Sequence, residues 1–256
     1  MADDPQLSVV IPVYNEGPNI EASLRALYDH VDLDMDVIVV YDMDNDTTVP
    51  VLERVADQFD GLRWIKNDIA RGPSGAIRTG LLDARGPRVL VMMADLCDDV
   101  SQIPALVDQV PGQADVACPS RYCPGGEQQL DATFKIWFPR AAGFLLNGIA
   151  GIPTLDPTNS YKVYSSAMLK NMTLVSTTSF SVTLEIVVKA HCLGYRIAEL
   201  PTTWKDRSAG ESKFNLWRSV ATYTPWFLLA LGRNRIFRIS PSWLPGLRGC
   251  RGPSAG

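Results

Sequence analysis

The chain has 256 residues, of which 46% are hydrophobic and 20% are charged, and its net charge at pH 7 is -4. This composition is typical of a globular protein with one large domain or two small ones. No run reaches the roughly 18 to 20 apolar residues that a membrane-spanning helix needs, and the N-terminus lacks the layout of a signal peptide. The five cysteines form no C-x-x-C pair, which argues against a zinc or redox site. The sequence therefore predicts a cytoplasmic protein.

The N-terminal half alternates short apolar runs, which predict strands, with apolar residues three or four positions apart, which predict helices. The predicted strands cover residues 6–12, 35–41, 62–65 and 88–93. The predicted helices carry Ile20, Leu24 and Leu27, then residues 51–59, then Ile77, Leu81 and Leu82. This alternation predicts an open, mostly parallel α/β sheet flanked by helices.

The second half of the chain is less regular, and no internal repeat is present. Its predicted strands cover residues 115–119, 162–164 and 196–204. Its predicted helices cover residues 134–149, 182–190 and 215–231, and Pro225 interrupts the last of them.

The polar loops that follow Ile11, Val40 and Met93 predict a binding crevice. In an open parallel sheet, ligands bind beyond the carboxyl ends of the strands, and these loops fall there.

Six segments, in a fixed order along the chain, carry a resemblance to a known family. They are residues 9–16 (VVIPVYNE), 41–48 (YDMDNDTT), 94–96 (ADL), 120–122 (SRY), Glu185 and 207–214 (RSAGESKF). The chain resembles family 2 glycosyltransferases with the GT-A fold, and within them the dolichol-phosphate mannose synthase group. The resemblance implies inverting transfer of a hexose, with mannose favoured, from GDP-mannose or a UDP-hexose to a polyprenyl phosphate. It implies Mg²⁺ or Mn²⁺ as the cofactor and no nucleic-acid partner.

The loop after the first strand contains the first predicted contacts to the donor nucleotide. Pro12, Tyr14 and Glu16 lie just past the strand end, and the resemblance assigns this loop to the nucleotide. The alternative is a strand cap followed by a solvated Glu16.

The end of the second strand and the loop after it contain the next donor contacts, Val40 and Asp42. A carboxylate at Asp42 accepts hydrogen bonds from a nucleobase or from ribose hydroxyls. Tyr41 stands where the family usually has the first of two aspartates, so this contact rests on Asp42. We interpret Asp44 and Asp46 as loop-forming residues rather than ligands.

The family's D-x-D motif takes the form Met93-Ala94-Asp95, so one of its two carboxylates is absent. We predict that Ala94 contacts the donor and that Asp95 binds the Mg²⁺ or Mn²⁺ that neutralises the diphosphate. Asp98 and Asp99 either supply a further ligand or cap the helix that follows.

Three basic residues are predicted to contact phosphates. Arg207 and Lys213 stand six residues apart around Gly210, and the resemblance assigns them to the donor and acceptor phosphates. Arg121 is a third predicted contact. With Asp95, we predict that Arg207 and Lys213 form the catalytic set.

Asn159, Ser160 and Glu185 are the predicted lining of the sugar and acceptor pocket. The polar residues at 156–160 are alternatively a simple turn.

The C-terminal end of the chain is basic, since residues 212–256 contain seven Lys and Arg and no Asp or Glu. Aromatic residues, leucines and flanking arginines at 215–239 predict an amphipathic helix at an anionic membrane surface. We therefore divide the chain into a catalytic domain (1–214), this interface segment (215–239) and a basic tail predicted to be disordered (240–256). The alternative is that the helix packs on the protein core.

A phosphate acceptor carries its own negative charge, so the predicted reaction needs no general base from the protein. A rival function is transfer to a soluble hydroxyl, for which Asp156 or Glu185 would be the base. A second rival is a non-catalytic nucleotide-sugar-binding protein, which the absence of a carboxylate at Met93 suggests.

Overall fold

The computed structural model describes residues 4–129, 134–205, 216–232 and 250–253. The strands are β1 Leu7–Val13, β2 Met35–Tyr41, β3 Leu62–Lys66, β4 Arg88–Val91, β5 Val116–Ser120, β6 Glu127–Gln129, β7 Lys162–Ser165, β8 Ile197–Pro201 and β9 Thr203–Lys205. The α-helices are α1 Ile20–His30, α2 Val49–Val55, α3 Pro73–Asp83, α4 Ile103–Gln109, α5 Phe134–Leu145, α6 Ser166–Lys170, α7 Ser181–Leu193 and α8 Leu216–Gly232. Two 3-10 helices cover Ala56–Gln58 and Val100–Gln102, and a π-helix covers Leu146–Ala150.

A seven-stranded sheet in the order β3-β2-β1-β4-β7-β5-β8 forms the centre of the fold. Its strands pair in parallel except for β7, which runs antiparallel to both of its neighbours, β4 and β5. Parallel pairing places the carboxyl ends of β1, β2 and β4 at one edge. The predicted open, mostly parallel sheet is confirmed.

The sheet is covered on both faces, and β1 shows how its sequence produces this. Side chains alternate between the two faces of a strand. Val10 packs in the core beneath α3 and α7, whereas Val9 and Ile11 pack in the core beneath α1 and α4. All of β1 is buried, which explains why its sequence is apolar at successive positions.

The differences from the predicted elements lie in short or polar segments. The run predicted as one strand at 196–204 is two strands, β8 and β9, separated at Thr202, whose N–H donates to the carbonyl of Ser120. The sequence did not predict β6, a polar three-residue strand that pairs with β9, or the short helix α6. The fourth strand ends at Val91 instead of residue 93.

Helix α8 packs against α7 and against the π-helix Leu146–Ala150. Tyr223, Trp226 and Leu229 of α8 are buried, whereas Leu228 is 65% exposed. One face of α8 therefore joins the core, as the alternative interpretation of this helix held. Among the described residues, no helix combines the length and apolar character needed to cross a membrane.

Residues 250–253 lie against the domain, although they fall within the tail that was predicted to be disordered. The N–H of Arg251 donates to the carbonyl of Asn171 over 2.9 Å, and the Tyr195 hydroxyl donates to the carbonyl of Arg251 over 2.9 Å. The expected disorder thus does not extend to these four residues.

Candidate active site

The loops after β1 and β2 are joined by hydrogen bonds at the carboxyl edge of the sheet. The N–H of Asn15 donates to both carboxylate oxygens of Asp46, at 3.1 and 3.0 Å. The N–H of Glu16 donates to the hydroxyl of Thr48 over 3.0 Å. Asp46 is buried and also accepts from the N–H of Thr48, so it is a loop-forming residue as predicted.

The four predicted donor contacts on β1, its loop and β2 have different surroundings. Pro12 and Val40 face each other in the sheet and are buried, so their side chains support the edge and any ligand contact would come from their backbone. Tyr14 is 46% exposed beside them. The carboxylate of Glu16 accepts from the side-chain amide of Asn19 over 2.8 Å just before α1, so one of its oxygens is occupied within its own loop.

A cleft of about 510 Å³ opens beyond β2 and β3, lined by residues 42–45 and 66–71. Asp42, where the sequence placed a base or ribose contact, is one of the residues that line it. One oxygen of Asp42 accepts from the amide of Asn67 over 2.6 Å, and the other accepts from the N–H of Gly72 over 2.7 Å. Sequence analysis did not single out Asn67, although it directly follows β3 and so belongs to the edge where a crevice was expected.

The loop after β4 brings Asp95 to the same edge of the sheet. The carbonyl of Ala94 accepts from the Ser23 hydroxyl of α1 over 2.8 Å, which anchors the loop. The carboxylate of Asp95 accepts from the N–H of Cys97 over 3.2 Å. Between them, Leu96 has a φ of +58°, a left-handed conformation that is uncommon for a branched side chain.

Asp98 lies beside Asp95, and burial together with the charge of Asp95 raises its pKa to about 7. Asp99 instead caps the 3-10 helix Val100–Gln102, since its carboxylate accepts from the N–H of Ser101. Asp99 therefore takes the capping role, whereas a ligand role for Asp98 stays a prediction. No cluster of three or more His, Cys, Asp or Glu suited to a metal ion occurs among the described residues.

Asp95 and Asp98 are adjacent carboxylates, and such a pair suits a divalent cation, because the cation prefers hard oxygen ligands and its positive charge relieves their repulsion. Mg²⁺ commonly takes only one or two protein carboxylates and completes its shell with water and substrate phosphates. Asp95 and Asp98 therefore fit a cation that is shared with a diphosphate.

Arg121 forms a two-pronged ion pair with Asp156, with N–O distances of 2.7 and 2.9 Å, and Asp156 is fully buried. The predicted phosphate contact at Arg121 is thus already committed to a carboxylate inside the protein. Lys162, fully buried, donates to the carbonyls of Asp156 and Asn159, and burial lowers its pKa.

The predicted pocket residues at 159 and 160 belong to the same turn. The amide of Asn159 donates to the carbonyl of Pro119 and accepts from the N–H of Tyr161, so this side chain holds the turn together. Ser160 is half-buried and accepts from the Thr183 hydroxyl over 3.4 Å. The turn interpretation accounts for these contacts.

Glu185 lies in a fully buried ion pair, not in the lining of a pocket. Its carboxylate accepts from Lys189 over 2.6 Å and from the N–H groups of Val175 and Ser176, both over 2.8 Å. Lys189 also lies 5.2 Å from the centre of the Trp226 ring. The prediction of a sugar contact missed that Glu185 and Lys189, four residues apart on α7, satisfy each other within the core.

Arg207 and Lys213 fall outside the described residues, so their predicted roles remain predictions. The described segment that precedes them ends at Lys205, whose N–H donates to the carbonyl of Cys97 over 3.0 Å. Residue 205 therefore lies beside the Asp95 loop, two positions before Arg207.

The chain is similar in sequence to known proteins. The sequence model of the family described as "Glycosyl transferase family 2" matches residues 8–173. A dolichol-phosphate mannosyltransferase of Pyrococcus furiosus is 26% identical over 81% of the chain, and an undecaprenyl-phosphate mannosyltransferase of Micrococcus luteus is 29% identical over 86%. The chain covers 59% of the first relative and 93% of the second, and as little as 35% of another relative.

Among solved structures, a glucosyl-3-phosphoglycerate synthase of Mycobacterium tuberculosis in complex with Mn²⁺, UDP-glucose and phosphoglyceric acid is similar. Its TM-score is 0.66 at 18% identity, with 89% of this chain and 80% of that chain covered. The predicted GT-A fold is confirmed.

Proposed function

Since the chain belongs to glycosyl transferase family 2 and is a glycosyltransferase, we propose that it transfers a hexose from a nucleotide-diphosphate sugar to a polyprenyl phosphate. Mannose is the favoured sugar, because two relatives are named for mannose transfer to polyprenyl phosphates. The donor would be GDP-mannose or a UDP-hexose.

In this proposal the donor binds across two neighbouring loops. Its nucleoside occupies the cleft of residues 42–45 and 66–71, with Asp42 accepting hydrogen bonds from the base or ribose. Its diphosphate lies at the Asp95 loop, at the same edge of the sheet.

Asp95 and Asp98 would hold Mg²⁺ or Mn²⁺, which would neutralise the negative charge on the diphosphate leaving group. Ala94 fixes this loop to α1 through its carbonyl. Arg207 and Lys213 are proposed to hold the donor and acceptor phosphates, and the described chain ends beside Cys97 shortly before them.

The observation that carries the choice of acceptor is the state of the two candidate bases. Transfer to a hydroxyl needs a carboxylate free to take a proton. Asp156 is buried and paired with Arg121, and Glu185 is buried and paired with Lys189. A phosphate acceptor already carries the negative charge that attacks the sugar, so it needs neither residue.

A lipid acceptor also accounts for four exposed apolar side chains on α5, the π-helix and α8, which we treat together as an outer surface because the π-helix contacts both of the other helices. This outer surface consists of Phe144, Leu145, Ile149 and Leu228, which are 42% to 65% exposed. The sequence has no Asp or Glu at residues 132–155 or 212–256. We propose that this surface rests on an anionic bilayer at the cytoplasmic face of the membrane.

The test is an acceptor panel assayed with GDP-mannose, UDP-glucose and Mn²⁺. The proposal predicts a sugar-phosphate lipid product from a short-chain polyprenyl phosphate, and none from the matching polyprenol or from soluble alcohols. A product formed only on an alcohol would refute the acceptor, and no transfer with any donor would support a non-catalytic binding protein.

A further inference from the structure

The side-chain amide of Asn67 makes all the hydrogen bonds that it is able to make. Its NH2 group donates to Asp42 and to the carbonyl of Ala70, both over 2.6 Å. Its oxygen accepts from the N–H of Ile69 over 3.1 Å and from the hydroxyl of Thr79 over 2.9 Å. An amide offers two donors and two acceptor sites, so none is left for a ligand. Asn67 therefore organises the cleft and does not itself bind what enters it.

The loop held by Asn67 packs closely against its surroundings. Gly72 has a φ of +108°, which side chains rarely adopt, and its N–H donates to the second oxygen of Asp42. A Cβ at Gly75 would lie 1.8 Å from the carbonyl oxygen of Ala70, so the loop lies directly against the start of α3. Both oxygens of Asp42 thus accept hydrogen bonds from this closely packed loop.

Both groups that hold Asp42 are neutral, and this leaves its charge available. No ion pair involves Asp42 within the part of the chain that the structure describes, and the nearby Lys66 pairs with Asp44 instead. Each carboxylate oxygen has two lone pairs, and Asn67 and Gly72 use one on each oxygen. One acceptor site per oxygen remains for N–H or O–H groups in the cleft.

We propose that Asn67 is the positioning residue of the donor cleft, which fixes the Asp42 carboxylate so that it accepts hydrogen bonds from the nucleoside of a nucleoside diphosphate. This inference rests on the proposed function, since it identifies what organises the donor side of the same site. Preorganisation of this kind acts on donor binding, because a carboxylate that is already oriented loses less freedom when the ligand arrives.

The deciding variant is Asn67→Asp, in full-length protein. It keeps the size of the side chain and the oxygen that Ile69 and Thr79 need, but it replaces the donor to Asp42 with a second carboxylate. We expect the Kd for UDP or GDP, measured by calorimetry, to rise by at least about tenfold, since hydrogen bonds to charged groups are among the stronger ones. Asn67→Ser, which removes the donor without adding charge, is expected to raise the Kd by at least about threefold.

Asn171→Asp is the matched control, because it adds a carboxylate at a half-buried asparagine whose amide donates to the hydroxyl of Tyr195. Its nucleotide Kd is expected to stay within about twofold of the wild type. In transfer assays, Asn67→Ser is expected to raise the KM for the donor while kcat at saturating donor stays within about twofold.

Equal nucleotide affinity of the wild type and both folded Asn67 variants would overturn the positioning role and leave the proposed function intact. A fall in kcat with an unchanged donor KM would also overturn it. A wild-type chain that binds neither UDP nor GDP would contradict the proposed function and this inference together.

Discussion

The buried Glu185–Lys189 pair leads to a prediction that separates a structural role from the sugar contact expected from sequence. We consider Glu185→Gln, Lys189→Met and the double variant. Glu185→Gln leaves the Lys189 ammonium buried without a counter-ion, and breaking a buried pair in this way costs about 3 to 5 kcal/mol. The lower value is expected, because Lys189 keeps the carbonyl of Thr173 at 2.5 Å and the ring of Trp226.

The double variant removes both charges and leaves an amide that still accepts from Val175 or Ser176. Replacing a buried ion pair as a unit is often close to neutral, so we expect a residual loss of about 1 kcal/mol. For a chain of this size, 1 kcal/mol corresponds to a Tm shift of about 2 to 4 °C. Glu185→Gln should therefore lower Tm by about 6 to 12 °C, and the double variant by about 2 to 4 °C.

Thermal unfolding followed by circular dichroism measures these shifts, and the transfer rate is measured well below each Tm. The folded variants are expected to keep transfer rates within about threefold of the wild type, as changes remote from the reacting atoms do. If Glu185→Gln kept the wild-type Tm but lost transfer, and the double variant did not recover it, Glu185 would be a substrate contact and our interpretation would be wrong.

Three further predictions concern the cation site, the cleft and the outer surface. The raised pKa of Asp98, about 7 instead of the usual 3.8, means that this group's stabilising contribution is present at low pH and lost as pH rises through about 7. In the metal-free chain, Asp98→Asn should therefore have a higher Tm than the wild type at pH 8 but not at pH 4. Adding Mn²⁺ at pH 8 should raise the Tm of the wild type more than the Tm of Asp98→Asn. Equal responses to Mn²⁺ would refute the cation site. Gly75→Ala forces its Cβ against Ala70 and should both lower Tm and weaken UDP or GDP binding. The control Gly112→Ala, whose Cβ has no atom within 4 Å, should do neither. Larger losses in Gly112→Ala than in Gly75→Ala would contradict the close packing of the loop. Phe144→Asp and Leu228→Asp should reduce sedimentation with anionic vesicles by at least about tenfold without changing Tm. The control Leu82→Asp, at an exposed position on α3, should leave sedimentation unchanged. Equal losses in all three variants would argue against a specific membrane face.

The elements that the sequence predicted well are those whose pattern is local. The strand β2 has the predicted bounds because its seven residues are apolar at nearly every position and buried on both faces. The antiparallel course of β7 was not predictable, since four residues do not reveal which neighbours they will pair with. The pair β6 and β9 likewise joins segments more than 70 residues apart in the chain.

The site residues likewise differ in whether a local pattern predicts their position. Asp42 and Asp95 follow apolar strands, and the rule that ligands bind beyond strand ends placed both correctly at one edge of the sheet. Arg121 and Glu185 were chosen by resemblance, which does not say which buried partner a charge will find. For Glu185 a signal was present, because Lys189 stands four residues later on a mostly apolar helix, and charges that are fully buried are nearly always paired.

The central claim is that Asp95 holds the cation that assists sugar transfer. Its most direct test is sugar transfer to a short-chain polyprenyl phosphate by the wild type, Asp95→Asn and Asp99→Asn at the same Mn²⁺ concentration. Asp99 is the matched control, because its carboxylate caps a 3-10 helix by accepting from the N–H of Ser101, and asparagine also caps a helix start. We predict a loss of at least about a hundredfold for Asp95→Asn, since several kcal/mol of charge stabilisation depend on the bound cation, and a change within about twofold for Asp99→Asn. Undiminished transfer by Asp95→Asn would contradict the account.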